Sequence, residues 1–285
     1  MSKNNFINGF KSKKTEFDSM ISKFMSFKNE NGNGVGAGKW FENLLTRFIN
    51  KHIGGFTAVK LNLSNSDWCI HDIVVSTSDQ INLIDVISIK EKAEKETKIN
   101  SERMDVFMRS LNEKYGFCLG ISAKTYKNWD GQLTTSYESR SFLESKHDEI
   151  INQTFDVQDF IKSLAKKTDE FNMIMSLNTF DDTKDYILTD IDFNCLLPII
   201  QKVEFKKLKK HSRYYLVNHQ GSQVMDFKYG GKTANPFQRG VWLCNSKNKS
   251  GDYHGLSEFQ NIITGNFTFQ GSEQDWIEKN YDLYL

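Results

Sequence analysis

Cys69-Ile-His-Asp-Ile-Val-Val-Ser76 and, after a short polar gap, Gln80-Ile-Asn-Leu-Ile-Asp-Val-Ile-Ser-Ile-Lys90 are the two runs on which the reading of the fold turns. Both are rich in Ile and Val, whose branched side chains suit a pleated surface. Side chains alternate across a strand, so residues two apart share a face. Read as a strand, 80–90 points Ile84, Val86, Ser88 and Lys90 one way and Asp85, Ile87 and Ile89 the other. A hairpin of 69–76 with 80–90 then sets Asp72 beside Ser88 and Lys90.

Outward from this hairpin, Phe56–Leu63 reads as a further strand. Before it, Trp40, Phe41, Leu44, Leu45, Phe48 and Ile49 recur at helical spacing, predicting a helix over 38–52 that stops at Gly54-Gly55. Residues 31–38 read as a glycine-rich loop, and Lys14–Phe27 as an amphipathic helix. Asn100 or Ser101 caps a predicted helix over 101–114, striped by Met104, Phe107, Met108 and Leu111, and Phe117–Ser122 is a short apolar strand. The stretch 138–210 reads as mostly helical. The tail is β-rich: Tyr214–Asn218 and Gln223–Tyr229 flank Gly221-Ser222 as a hairpin, with strand candidates at Gly240–Asn245 and Asn266–Gln270. This divides the chain into a helical arm and loop (1–34), a core (35–137), and a helical segment with a β-rich region (138–285), together one compact domain.

Bulk charge points to no partner, because 37 Lys+Arg stand against 36 Asp+Glu. A nucleic-acid enzyme of this composition must concentrate its positive charge locally. No run of about 18 apolar residues exists, so no membrane span is expected. Cys69, Cys118, Cys195 and Cys244 lie far apart, without a zinc pattern, and read as reduced and buried in a cytoplasmic protein.

The grouping Asp72, Ser88, Lys90 suits phosphodiester hydrolysis. A carboxylate can hold Mg²⁺, which offsets phosphate charge and lowers the pKa of a bound water, while a lysine orients that water or stabilises the developing charge. These residues resemble the PD-(D/E)XK nuclease superfamily, whose pattern is an acid at the start of a hairpin followed by acid-x-Lys on the next strand. Asp72 matches the first acid and Lys90 the lysine. Ser88 departs from the usual second acid, a variation some restriction endonucleases share. The resemblance implies an α/β restriction-endonuclease-like core, a mixed central sheet flanked by helices, with a C-terminal β-rich recognition subregion. It implies a type II site-specific endodeoxyribonuclease cutting double-stranded DNA with Mg²⁺ to 5′-phosphate and 3′-hydroxyl ends. Glu42, on the helix before the sheet, is the supporting acid, and Glu102 a rival metal ligand. The segment Asn235-Pro-Phe-Gln-Arg-Gly-Val-Trp242 resembles the C-terminal β segment of such enzymes. Asn235, Gln238 and Arg239 are then the base readers, since Arg suits guanine and Asn or Gln adenine. Lys232, Lys247 and Lys249 meet phosphates. Oligomeric state is open, with a homodimer compatible.

Plainer readings compete. Asp72 and Lys90 on adjacent strands also make a surface ion pair. Asp85 is an alternative metal acid on the opposite strand face, His71 faces away from Asp72, and Glu102 suits a helix N-terminus. The glycine-rich loop fails as a phosphate loop, because Asn33 stands at the first glycine position and Trp40 replaces Ser/Thr. The basic run Lys202, Lys206, Lys207, Lys209, Lys210, His211, Arg213 is either a solvated helix end or a phosphate contact. The rival function is a non-catalytic DNA-binding or interaction protein on a degenerate nuclease fold.

Overall fold

A computed structural model describes residues 2–31, 34–61, 68–69, 71–98 and 100–126. It further describes short stretches of 148–166, and 176–180, 185–189, 193–207, 212–221, 223–229, 241–243 and 262–266. The chain is a mixed α/β protein. Helices α1 (Lys3–Ser12), α2 (Lys14–Asn31) and α3 (Gly34–His52) precede strands β1 (Thr57–Lys60) and β2 (Ile73–Ser76). Helices α4 (Leu83–Glu96) and α5 (Asn100–Tyr115) then lead to β3 (Cys118–Ile121).

These strands form an antiparallel sheet in the order β1-β2-β3. The register puts Ala58, Val75 and Leu119 in one row and Ile73 with Ile121 in the next. Opposed residues share a face, and all five belong to one buried cluster with Phe6, Phe10, Phe17, Phe41, Leu44, Leu45, Phe48 and Ile49. Helices α1–α3 therefore cover this face. Rings of Phe10, Phe17 and Phe48 meet at 4.9–5.2 Å between centroids, tilted or edge-on, as aromatic quadrupoles prefer. On the other side α5 docks on β3. The Cys118 amide donates to Asn112 Oδ1 at 3.0 Å, and the Ser76 hydroxyl to the Tyr115 carbonyl at 3.4 Å. The α5 stripe Met104, Phe107, Met108, Leu111 is fully buried, as its spacing predicts. Gly116 ends α5 at φ 73°, its amide bonded to the Asn112 carbonyl at 2.9 Å, a left-handed cap that glycine adopts without strain.

The strand β4 (Ala123–Tyr126) follows β3 after Ser122 and belongs to a second sheet, ordered β11-β6-β5-β4, with β5 (Ser176–Phe180), β6 (Asp185–Thr189) and β11 (Ile262–Asn266). Its β4–β5 pairing is parallel and the others antiparallel. Tyr186 of β6 is buried against Phe17, and its hydroxyl donates to Asp18 Oδ1 at 2.6 Å. Burial drives its pKa upward, so the phenol stays protonated. A third sheet, β10-β9-β8-β7, is an antiparallel meander of β7 (Ile200–Lys207), β8 (Ser212–Asn218), β9 (Gln223–Tyr229) and β10 (Val241–Leu243). A 3-10 turn, Phe193–Leu196, leads into it. Gly221 turns the β8–β9 hairpin at φ 77°.

Several predicted elements are replaced. The run 80–90 is not a strand: 83–90 lies in α4. Asn82 caps that helix, its side-chain oxygen accepting the Asp85 amide at 3.0 Å, and Val86 and Ala93, two turns apart, are its buried stripe. Ile84 and Ile87 are left 81% and 41% exposed, which is why the apolar alternation misleads. The glycine run from Gly34 enters α3 rather than forming a loop. Within 138–210, β5, β6 and β7 are strands, so the helical reading fails there. The basic run accordingly begins on β7 and ends on β8 instead of at a helix end. Strand β11, at 262–266, meets the predicted strand Asn266–Gln270 at Asn266, and 267–270 lie outside the described residues. Among the described residues, no helix is long and apolar enough to cross a membrane.

Candidate functional site

Asp72 stands at the bend that opens β2. Its main chain is held from both sides: its amide donates to the Ile121 carbonyl at 2.9 Å, and its carbonyl accepts the Leu61 amide at 2.8 Å. Beyond this point the sheet divides. Strand β3 pairs with β2, whereas β4 leaves to pair with β5, and Ser122 is the residue between. At such a fork an amide loses its ladder partner and needs another acceptor. The Asp72 carboxylate fills that role, accepting the Ala123 amide at 2.8 Å and the Ser122 hydroxyl at 3.4 Å through Oδ2. Ala123 is itself buried, while Asp72 is half-buried.

His71 makes the fork close-packed. Its ring lies on Gly120 so tightly that a Cβ at position 120 would overlap the ring atoms. Both are buried next to the acid and the serine, so the two strands meet here with no room for a larger residue at 120.

Glu42 lies on α3, which packs on both β1 and β4. Its carboxylate lies 3.6 Å from the Lys60 ammonium at the end of β1, and Lys60 also donates to Asn43 Oδ1 at 2.8 Å. The two charged side chains are 16% and 15% exposed. Lys60 is the neighbour of Leu61, whose amide binds the Asp72 carbonyl. An ion pair, one peptide unit and one backbone hydrogen bond thus connect Glu42 to Asp72.

Ser88 and Lys90 are elsewhere in the architecture. Ser88 is exposed on α4. The Lys90 ammonium binds Glu94 at 2.9 Å and lies 5.1 Å from the Trp68 ring centroid, while the Trp68 indole donates to the same Glu94 oxygen at 2.7 Å. Lys90 first, then Trp68, lower the Glu94 pKa. This arrangement ties α4 to the segment before β2, so Lys90 has a structural environment that the hairpin reading lacks. Asp85 accepts from Lys114 at 2.7 Å, Tyr115 at 2.6 Å and Asn82 at 3.1 Å. Those donors, Lys114 foremost, hold its carboxyl down to about 2. It fastens the start of α4 to the end of α5. Glu102, in the first turn of α5, accepts the Thr97 hydroxyl, a helix-start contact. Cys69 and Cys118 are buried free thiols, and burial pushes Cys118 up to about 11.

The predicted DNA readers Asn235, Gln238 and Arg239 and the phosphate contacts Lys232, Lys247 and Lys249 lie outside the described residues. The residue next to Asp72 that the sequence reading passed over is Ser122, and Lys124 follows two positions on in β4. Their signal was present as Ser122-Ala-Lys124 directly after the apolar run 117–121, but two helices separate it from Asp72. Among the described residues no group of three or more His, Cys, Asp or Glu side chains could hold a metal ion. Comparison with protein-family models, curated proteins and solved structures finds no match in any of the three.

Proposed function

We propose that the chain is a Mg²⁺-dependent endonuclease of the PD-(D/E)XK kind, acting on double-stranded DNA, with its site at the strand fork. The observation that carries this reading is Asp72 facing Ser122 across the fork, with its carboxylate on the Ala123 amide. Asp72 precedes β2, and the Ser-x-Lys sequence Ser122-Ala-Lys124 runs from its hydrogen-bonded partner into β4, taking the place in the motif sought for Ser88-x-Lys90. The motif is accordingly assigned to Asp72, Ser122 and Lys124, with Glu42 in support. The sheets β1-β2-β3 and β11-β6-β5-β4 are separate, the second mixed through its parallel β4–β5 pair, and a restriction-endonuclease-like core is part of the proposal.

Mg²⁺ uses one or two carboxylates and fills the remaining positions with water and phosphate oxygens, so Asp72 is the acid that would hold it, while Glu42 lies 3.6 Å from Lys60. When bound, the ion supplies charge compensation to the phosphate and a more acidic water. The protein's own part is to orient the Asp72 carboxylate through the Ala123 amide. Ser122 offers a hydroxyl beside that carboxylate, and Lys124 a cation for the developing phosphate charge. Type II site specificity is part of the proposal, with base reading assigned to 235–239.

A second reading, a non-catalytic DNA-binding module on the same fold, is favoured by the serine at the second acid position. Incubating the protein with varied-sequence DNA and Mg²⁺ and mapping the ends separates the readings. Discrete cuts support a restriction-type enzyme, a smear a nonspecific nuclease, and intact DNA with a gel shift the binding module.

A further inference from the structure

The third sheet carries a charge pattern that the strand fork does not use. Its register places Lys206 of β7 opposite Arg213 of β8, and Arg213 opposite Lys228 of β9. Cationic residues thus fill one row across three adjacent strands. Directly opposed like charges destabilise a sheet, so the row works against the fold unless an anion offsets it. Lysines on β7 have an ordinary explanation: β7 is the edge strand of this sheet, and edge lysines discourage pairing with other chains. Arg213 and Lys228 stand on the two interior strands, where that explanation does not reach.

Positions two along each strand share a face. The next row on the face of Arg213 holds Glu204, Tyr215 and Asp226, with Trp242 of β10 opposite Asp226. Glu204 is joined to Lys202 at 2.6 Å. This set of positions therefore carries Lys202, Lys206, Arg213 and Lys228 against only Glu204 and Asp226. The alternate positions are apolar, with Phe205, Tyr214, Phe227 and Val241 in one row and fully buried Leu216 in the next. An antiparallel sheet that alternates in this way buries its apolar face and leaves the other to water. Burial on the polar face is seen at Val217, two rows away from Arg213.

We propose that the row Lys206, Arg213, Lys228 is a contact for the phosphate backbone of double-stranded DNA. The inference takes its partner from the nuclease reading above, and it needs neither the metal nor the strand fork. The row covers two strand spacings, about 10 Å, a length over which duplex DNA carries about six charges. Cations that meet phosphates position the duplex without reading its sequence, which leaves base reading to other residues.

The test is equilibrium binding of the full chain to a labelled mixed-sequence DNA duplex, with Ca²⁺ in place of Mg²⁺, across a salt series. Each phosphate contact adds about 0.9 to the slope of log affinity against log salt. The triple variant Lys206→Gln, Arg213→Gln, Lys228→Gln should therefore flatten the slope by roughly two to three and weaken binding to all sequences alike. Its thermal midpoint should equal or exceed that of wild type, because opposed like charges are removed. A control triple, Lys92→Gln, Lys95→Gln, Lys98→Gln, removes the same net charge from exposed sites and should keep the wild-type slope. The three single variants, each flattening the slope by about 0.9, give the same reading should the triple variant fail to fold. Folded variants that bind as wild type does, or a control triple with an equal loss, overturn the contact and leave the nuclease reading standing. Wild type that binds no duplex removes that reading and the contact together.

Discussion

Replacing Asp72 in two ways separates a catalytic carboxylate from a structural one. Its Oδ2 accepts the amide of buried Ala123 at 2.8 Å and the Ser122 hydroxyl at 3.4 Å. Asp72→Ala removes the acceptor and leaves the Ala123 amide unpaired, which costs about 1–3 kcal/mol. For a chain of this size that lowers the thermal midpoint by roughly 2–10 °C. Asp72→Asn keeps a side-chain oxygen at the same place and gives up only the charge-assisted part of the bond, so the loss should stay under about 1.5 kcal/mol. Cleavage should respond in the opposite pattern. A neutral amide is a poor ligand for Mg²⁺, and forfeiting several kcal/mol of metal assistance at about 1.4 kcal/mol per decade slows single-turnover cutting by about 10³-fold. Both variants should therefore be inactive, with Asp72→Asn close to wild type in stability. Thermal melts and single-turnover cleavage on the same preparations measure the two effects. A folded Asp72→Asn protein that cuts within a few-fold of wild type would refute the assignment. Activity that merely tracks stability across both variants would reduce Asp72 to a fork-sealing residue.

Lys124→Ala should lower single-turnover cleavage by about 10²–10³ while Ca²⁺-supported DNA binding changes far less, since one lysine is a small part of the phosphate contacts; equal losses in both would make it a binding residue. Lys90→Ala should leave cleavage intact and cost about 1 kcal/mol of stability, through the lost Glu94 pair and Trp68 contact; a folded but inactive variant would return it to the site. The Asp85 carboxyl titrates at about 2 when folded against 3.8 ordinarily. Its contribution is therefore fully present above about pH 4 and lost as the pH falls towards 2. The gap in thermal midpoint between wild type and Asp85→Asn should close over that window, and a gap independent of pH would show that the Lys114 and Tyr115 contacts do not stabilise the charged form.

Local chemistry alone determined much of this protein. The stripe Phe41, Leu44, Leu45, Phe48, Ile49 makes one apolar helix face whatever it packs on, and Met104 to Leu111 does the same for α5. Gly221 specifies the β8–β9 hairpin through its backbone freedom, and the Asp72 run reads as a buried strand end from its Ile and Val alone. Tertiary structure decided the identity of 83–90. Branched residues favour a strand there, yet the Asn82–Asp85 cap and the burial of Val86 and Ala93 favour a helix, and packing against α5 settles the competition. That choice moved Lys90 to Trp68 and Glu94 and left the strand place beside β2 to β3, from far along the chain. Neither periodicity nor propensity carries pairing across two intervening helices, because strand partnership depends on which apolar faces meet in space. The meeting of Asp72 with Ser122 and Ala123 therefore belongs to the folded sheet, although each of the three is plain in the sequence.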